Sequence, residues 1–231
     1  TLSRAIGDIS IVLNRFFSIT YASKKHIAFK MTELISLNSE SATNRLVLLH
    51  GWGADAHDLM PVGKLLTDGL KDSFEIIALS APQPHPGGSG RQWYPLYPHE
   101  WEQVPNAVLD VEKRLNNLCT KQIPLEKTLL LGFSQGGAMA LDLATRIKFQ
   151  GVFALSSYPH PDWEPMKNMP PIFLCHGEMD DVVPKAASGK SFDSLLKNGI
   201  KAELYFFDGG HEINNDLISY CRGKIEQQFL S

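Results

Sequence analysis

A chain of 231 residues with 43% hydrophobic and 20% charged residues has the make-up of a folded domain rather than a disordered one, and its length fits a single core. A formal net charge of −3 excludes the broad basic surface that nucleic-acid binding needs, so no nucleic-acid partner is expected. No run of 18 or more apolar residues occurs, which excludes a spanning helix and with it a transmembrane segment.

Residues 1–30 differ from the rest: Arg4, Arg15, Lys24, Lys25 and Lys30 are opposed only by Asp8, and serine recurs at Ser3, Ser10, Ser18 and Ser23. Two readings stay open, an organelle transit peptide or an N-terminal extension from an upstream start. A single domain is expected over residues 31–231, and the cytoplasm is the expected location unless residues 1–30 direct import. From Thr32 onward, short β-rich runs alternate with longer segments of helical spacing, the pattern of an α/β domain with a mainly parallel sheet covered on both faces.

In chain order, an edge strand is expected over Thr32–Leu37 and a strand over Arg45–Leu49, followed by a helix over Asp58–Leu70 and a strand over Phe74–Leu79. The segment Ala81–Glu100 carries five prolines and three glycines and is expected to be irregular; its Trp93, Tyr94 and Tyr97, with Trp101 just beyond, suggest a loop that walls a pocket. A helix follows over Trp101–Leu118, with Pro105 near its start. The remaining strands fall at Thr128–Leu131, Gly151–Leu155, Ile172–Cys175 and Ala202–Phe207, and the remaining helices at Gln135–Arg146, Lys185–Lys197 and Asn214–Phe229. The three cysteines, Cys119, Cys175 and Cys221, are widely spaced and form no CxxC pair, which argues for a reducing compartment. Cys175 continues an apolar run and reads as a buried, inert thiol.

Gly132-Phe133-Ser134-Gln135-Gly136 has the form G-x-S-x-G, directly after an apolar strand and directly before a helix. That context resembles the nucleophile turn of α/β-hydrolases, where flanking glycines relieve backbone crowding and the serine hydroxyl is expected to point outward. A serine needs a base, and His211 follows Gly209-Gly210 on the loop after the last strand. The base needs a carboxylate to fix its tautomer, and Asp180 and Asp181 both follow the strand ending at Cys175; residue chemistry does not choose between them. An oxyanion needs two preset donors, for which the backbone N–H groups of Gln135 and of Trp52, in the loop His50-Gly51-Trp52-Gly53, are the candidates. His50 and His176 end apolar strands and precede glycine, a placement suited to holding loops by hydrogen bonds.

These residues together resemble the phospholipase/carboxylesterase family, which includes acyl-protein thioesterases and small bacterial carboxylesterases. The carriers are LLHGWGAD at 48–55, the AP beginning at Ala81, LLLGFSQGGAMAL at 129–141, LSSYPH at 155–160, CHGEMDDVVP at 175–184 and GGHEI at 209–213. The family's H-G-x-x-D-x-x-V-P pattern aligns its catalytic aspartate with Asp180. Trp52 stands where the thioesterases usually carry leucine, and Asp181 where the family commonly has proline. The resemblance implies a serine hydrolase without metal or organic cofactor, acting on a small-molecule ester or acyl thioester or on an acylated protein, with no large lid. Alternatives to be separated by experiment are a noncatalytic ligand-binding protein on the same fold, or a hydrolase of another acyl substrate such as a dienelactone or peptide.

Overall fold

The computed structural model describes residues 34–37, 41–70 and 73–230. The extension expected over residues 1–30, the domain start expected at residue 31, and Thr32 and Glu33 of the expected edge strand lie outside the described residues. In chain order the elements are β1 (Leu34–Leu37), β2 (Asn44–Leu49), α1 (Ala56–Thr67), β3 (Phe74–Leu79), β4 (Gln83–Pro84), β5 (Arg91–Gln92), α2 (Val104–Leu118), β6 (Thr128–Phe133), α3 (Gln135–Ala144), β7 (Gly151–Leu155), β8 (Ile172–Gly177), α4 (Ala186–Lys197), β9 (Ala202–Phe207) and α5 (Asn215–Phe229).

The main sheet has the order β1-β3-β2-β6-β7-β8-β9. β1 runs antiparallel to β3, and every other pairing in it is parallel. Strands β2, β6, β7 and β8 are buried along their whole lengths, which is why they read as continuous apolar runs rather than as alternating ones. Successive side chains still leave on opposite faces: Val47 and Leu49 join one core, under α2, α3 and α4, while Leu46 and Leu48 join the other, under α1 and α5. The helices therefore cover both faces, as the α/β-hydrolase fold requires, and no lid domain stands among the described residues.

The expected boundaries shift where side chains cap helices. α1 begins at Ala56 rather than Asp58 because the Asp55 side chain accepts from the His57 N–H while the Asp58 carboxylate reaches back to the Asp55 N–H. The helix expected from Trp101 is split into a 3₁₀ turn, Trp101–Gln103, and α2, with Pro105 in its first turn as expected. The segment Ala81–Glu100 departs from the expectation of wholly irregular chain. β4 and β5 pair in a small antiparallel hairpin, with a tip turned by Gly88 and Gly90, both at positive φ. The hairpin is anchored to the loop after β2 by two backbone hydrogen bonds, Gly53 N–H to Arg91 C=O and Arg91 N–H to Ala54 C=O.

Parallel pairing places the carboxyl ends of β2, β6, β7, β8 and β9 along one rim of the sheet. Loops bearing Trp52, Ser134, Asp180 and His211 all leave from that rim, the usual location of binding crevices in open α/β sheets. No helix among the described residues is long and apolar enough to cross a membrane.

Candidate active site

Ser134 sits between β6 and α3 with φ 54° and ψ −116°, a conformation that L-residues seldom adopt and that costs on the order of 1–3 kcal/mol. Two hydrogen bonds hold it there: its N–H donates to Leu155 C=O at 2.8 Å, and its C=O accepts from Ala138 N–H at 3.0 Å. The turn is so tight that a Cβ on Gly132 would lie 2.1 Å from the Gly136 carbonyl oxygen. One on Gly136 would lie 2.1 Å from that of Leu49. Both flanking glycines of the motif are thus required by backbone contact.

The Ser134 hydroxyl is 3.0 Å from His211 Nε2, and His211 Nδ1 is 2.7 Å from Asp180 Oδ2. An ionised carboxylate only accepts, so Nδ1 carries the proton and Nε2 offers its lone pair to the serine hydroxyl. The Asp180 side chain is fully buried, and the His211 side chain is 15% exposed. Burial by itself pushes the Asp180 carboxyl upward. Hydrogen bonds from His176, His211 and the Val183 N–H, together with the charge of His211, outweigh that and hold it well below the usual carboxylate range. Asp181, which chemistry left as a rival, is exposed.

The loop after β2 packs directly against the serine, since a Cβ on Gly51 would meet Ser134 Cβ at 3.4 Å. The His50 ring spans this loop and the next, with Nδ1–H donating to Gly51 C=O at 2.7 Å and Nε2 accepting from Ala81 N–H at 3.0 Å. Among the described residues, neither the Trp52 N–H nor the Gln135 N–H has an acceptor, which leaves both free to take an anionic oxygen. The Trp52 indole is engaged elsewhere: its Nε1–H donates to Gln92 Oε1 at 2.9 Å, and its ring meets His85 edge-on.

The aromatic loop is only partly a pocket wall. Tyr97 is 64% exposed and packs against Trp52, but Trp93 and Tyr94 are sunk in the core, which corrects the expectation for that pair. Their burial has a structural cause. Trp93 Nε1–H donates to His50 C=O at 2.8 Å, and the Gln135 side chain bridges the two residues, accepting from Trp93 N–H at 3.0 Å and donating to Tyr94 C=O at 2.8 Å. Tyr94 continues into a buried chain, its hydroxyl 2.7 Å from His160 Nε2 and 2.9 Å from the Tyr158 hydroxyl, with Asp142 bonded to His160 Nδ1. Sequence reasoning assigned nothing to Asp142 or His160, and no local pattern links them to Tyr94. Cys175 is fully buried, and burial pushes its thiol up, so it stays protonated. Among the described residues no cluster of three or more His, Cys, Asp or Glu could hold a metal ion.

Comparison with known proteins adds to this geometry. The sequence pattern described as phospholipase/carboxylesterase matches residues 31–227. Acyl-protein thioesterase 1 of Cryptococcus neoformans var. neoformans serotype D is 27% identical over 180 residues, covering 68% of this chain and 75% of that protein. Acyl-protein thioesterase 1 homolog 2 of Dictyostelium discoideum is 28% identical over 197 residues, covering 74% and 86%. Among solved structures, esterase PE8 superposes with a TM-score of 0.78 at 28% identity, over 86% of this chain and 100% of that one. The Bacillus cereus carboxylesterase superposes with a TM-score of 0.72 at 15% identity, over 87% and 96%, a likeness of fold alone.

Proposed function

Because the chain belongs to the phospholipase/carboxylesterase family of α/β-hydrolases, we propose that it hydrolyses carboxylic esters or acyl thioesters through an acyl-serine intermediate. Ser134 is the nucleophile, His211 the general base and acid, and Asp180 the carboxylate that orients the histidine. The observation that carries this reading is the unbroken line of hydrogen bonds from Asp180 through His211 to a serine held at a strained turn.

In the first half-reaction the Ser134 oxygen bonds to the acyl carbon while its proton passes to His211 Nε2. The resulting oxyanion is stabilised by the N–H groups of Trp52 and Gln135, donors already free of other partners. Collapse breaks the bond to the leaving oxygen or sulfur, which takes the proton from His211. Water then attacks the acyl-serine by the same route in reverse, releasing the acid and restoring Ser134. Asp180 keeps the imidazole in the Nδ1–H tautomer throughout and stabilises the imidazolium that forms.

The names of the relatives favour acylated proteins or other esters as substrates. Ser134→Ala should lower kcat on the order of a thousandfold to a millionfold against p-nitrophenyl esters and an acyl thioester, and should abolish labelling by a fluorophosphonate. Near-normal turnover in that variant would reject the mechanism. A folded native chain that neither turns over these substrates nor takes the label would instead be a ligand-binding protein.

A further inference from the structure

Asp180 does not face His211 alone. His176, near the end of β8, has a fully buried side chain whose Nε2 lies 2.8 Å from Val183 C=O and 3.2 Å from Asp180 Oδ2. The carbonyl and the ionised carboxylate only accept, so Nε2 must carry a hydrogen, shared between them. On the far side of the ring, Nδ1 is 2.6 Å from the Ser188 hydroxyl on α4, and that hydroxyl is 3.4 Å from Ser157 C=O. In a neutral ring with its hydrogen on Nε2, Nδ1 can only accept, so the Ser188 hydroxyl donates to it and favours that tautomer. The carboxylate is therefore surrounded: Oδ1 accepts from the N–H groups of Val182 and Val183, and Oδ2 from His211 and His176.

We propose that His176 is a positioning residue for this hydrolase. By sharing its Nε2–H between Val183 C=O and Asp180 Oδ2, it fixes the orientation of the carboxylate and limits the carboxylate's pull on the His211 proton. The inference rests on the triad reading given above. Each donor to a carboxylate withdraws charge from it, so the other partners meet a weaker acceptor. With the His176 donor removed, Asp180 concentrates its charge on His211, favours the imidazolium and takes the base out of action at a higher pH. The titratable groups facing Asp180 are His176 from β8 and His211 from the loop after β9. On the loop of Asp180 itself, Glu178 pairs with Lys185 and Asp181 is exposed. Onto His176, α4 turns the Ser188 hydroxyl, the segment after β7 turns the Ser157 carbonyl through that hydroxyl, and the register partner on β9 is Phe206.

The test is the pH dependence of kcat/KM for the full chain, compared with His176→Leu and His176→Gln on a p-nitrophenyl ester. His176→Leu should move the acidic limb to higher pH by roughly half a unit to one unit and lower kcat about tenfold. His176→Gln places an amide donor near the same position and should return the limb toward that of the unaltered protein. A folded His176→Leu protein with an unmoved limb would overturn the proposal, even if kcat fell, because lost packing alone does not shift the limb. If that variant fails to fold, Ser188→Ala, which frees the ring to change tautomer, should move the limb in the same direction by less, and no movement would overturn the proposal. Loss of turnover in His211→Ala together with an unmoved limb would sink this inference alone, whereas turnover retained in His211→Ala would sink the triad.

Discussion

The His50 ring is 1% exposed, and both of its hydrogen bonds, one given to Gly51 C=O and one taken from Ala81 N–H, require it to be neutral. Burial lowers its pKa from 6.5 to about 4, with the Gly51 carbonyl opposing only part of that shift. Between those two values the unfolded chain holds a proton at this residue and the native chain does not. The stability is therefore fully present above about pH 6.5 and is lost as pH falls toward 4, by about 3 kcal/mol from this residue. Urea unfolding at about pH 7 and about pH 4 should show a drop of at least that order. His50→Asn, which keeps a donor toward Gly51 but has nothing to protonate, should shrink the drop. Asp180 acts in the same direction at lower pH: its carboxyl is held below the usual range, so its contribution is present above that range and is lost as pH falls through the lowered value.

Among the elements, β2 and β3 show how a parallel pair is held in one register. Arg45 and Glu75 are direct partners across the pair, and the Arg45 Nε–H donates to Glu75 Oε2 at 2.6 Å while Nη1 reaches Ile123 C=O at 3.2 Å. The Arg45 side chain is 3% exposed, so its buried charge needs that carboxylate as a partner. Glu75→Ala should cost about 3–5 kcal/mol because an unpaired guanidinium stays buried. Arg45→Met combined with Glu75→Leu should cost much less, a contrast readable from chemical denaturation of the two proteins. A one-residue slip at this pair would exchange the faces of Leu46, Val47, Leu48 and Leu49 and spoil both cores at once.

For the molecule as a whole, one sheet separates two cores and holds the site at its rim. Phe153 and Phe173, on adjacent strands, stack with centroids 4.7 Å apart in the core under α1 and α5. Phe153→Ala should lower stability by about 3–5 kcal/mol through the cavity it leaves. It should keep kcat close to normal below the melting temperature, because Ser134 is held directly by backbone bonds to Leu155 and Ala138, which the substitution leaves in place. Denaturation curves and initial rates on one preparation check both halves of this expectation. An equal collapse of kcat in fully folded protein would mean that the rim and the core are not separable.

The class of the fold and most strand positions were legible in the sequence, because strands buried on both faces must be apolar along their length, as Leu129-Leu130-Leu131 and Gly151–Leu155 are. The turn around Ser134 was legible for a related reason: its glycines answer to backbone contacts made within a few residues or one strand away. Chemistry alone left Asp180 and Asp181 equal, since adjacent residues on a loop share their composition and only packing decides which one turns inward. Tertiary structure alone brought Ser134 and His211, 77 residues apart, to 3.0 Å and sank Trp93 and Tyr94 beneath the site. Contacts of that kind join side chains far apart in the chain and impose no periodicity on either segment, so they become visible only when the strands that carry them lie side by side.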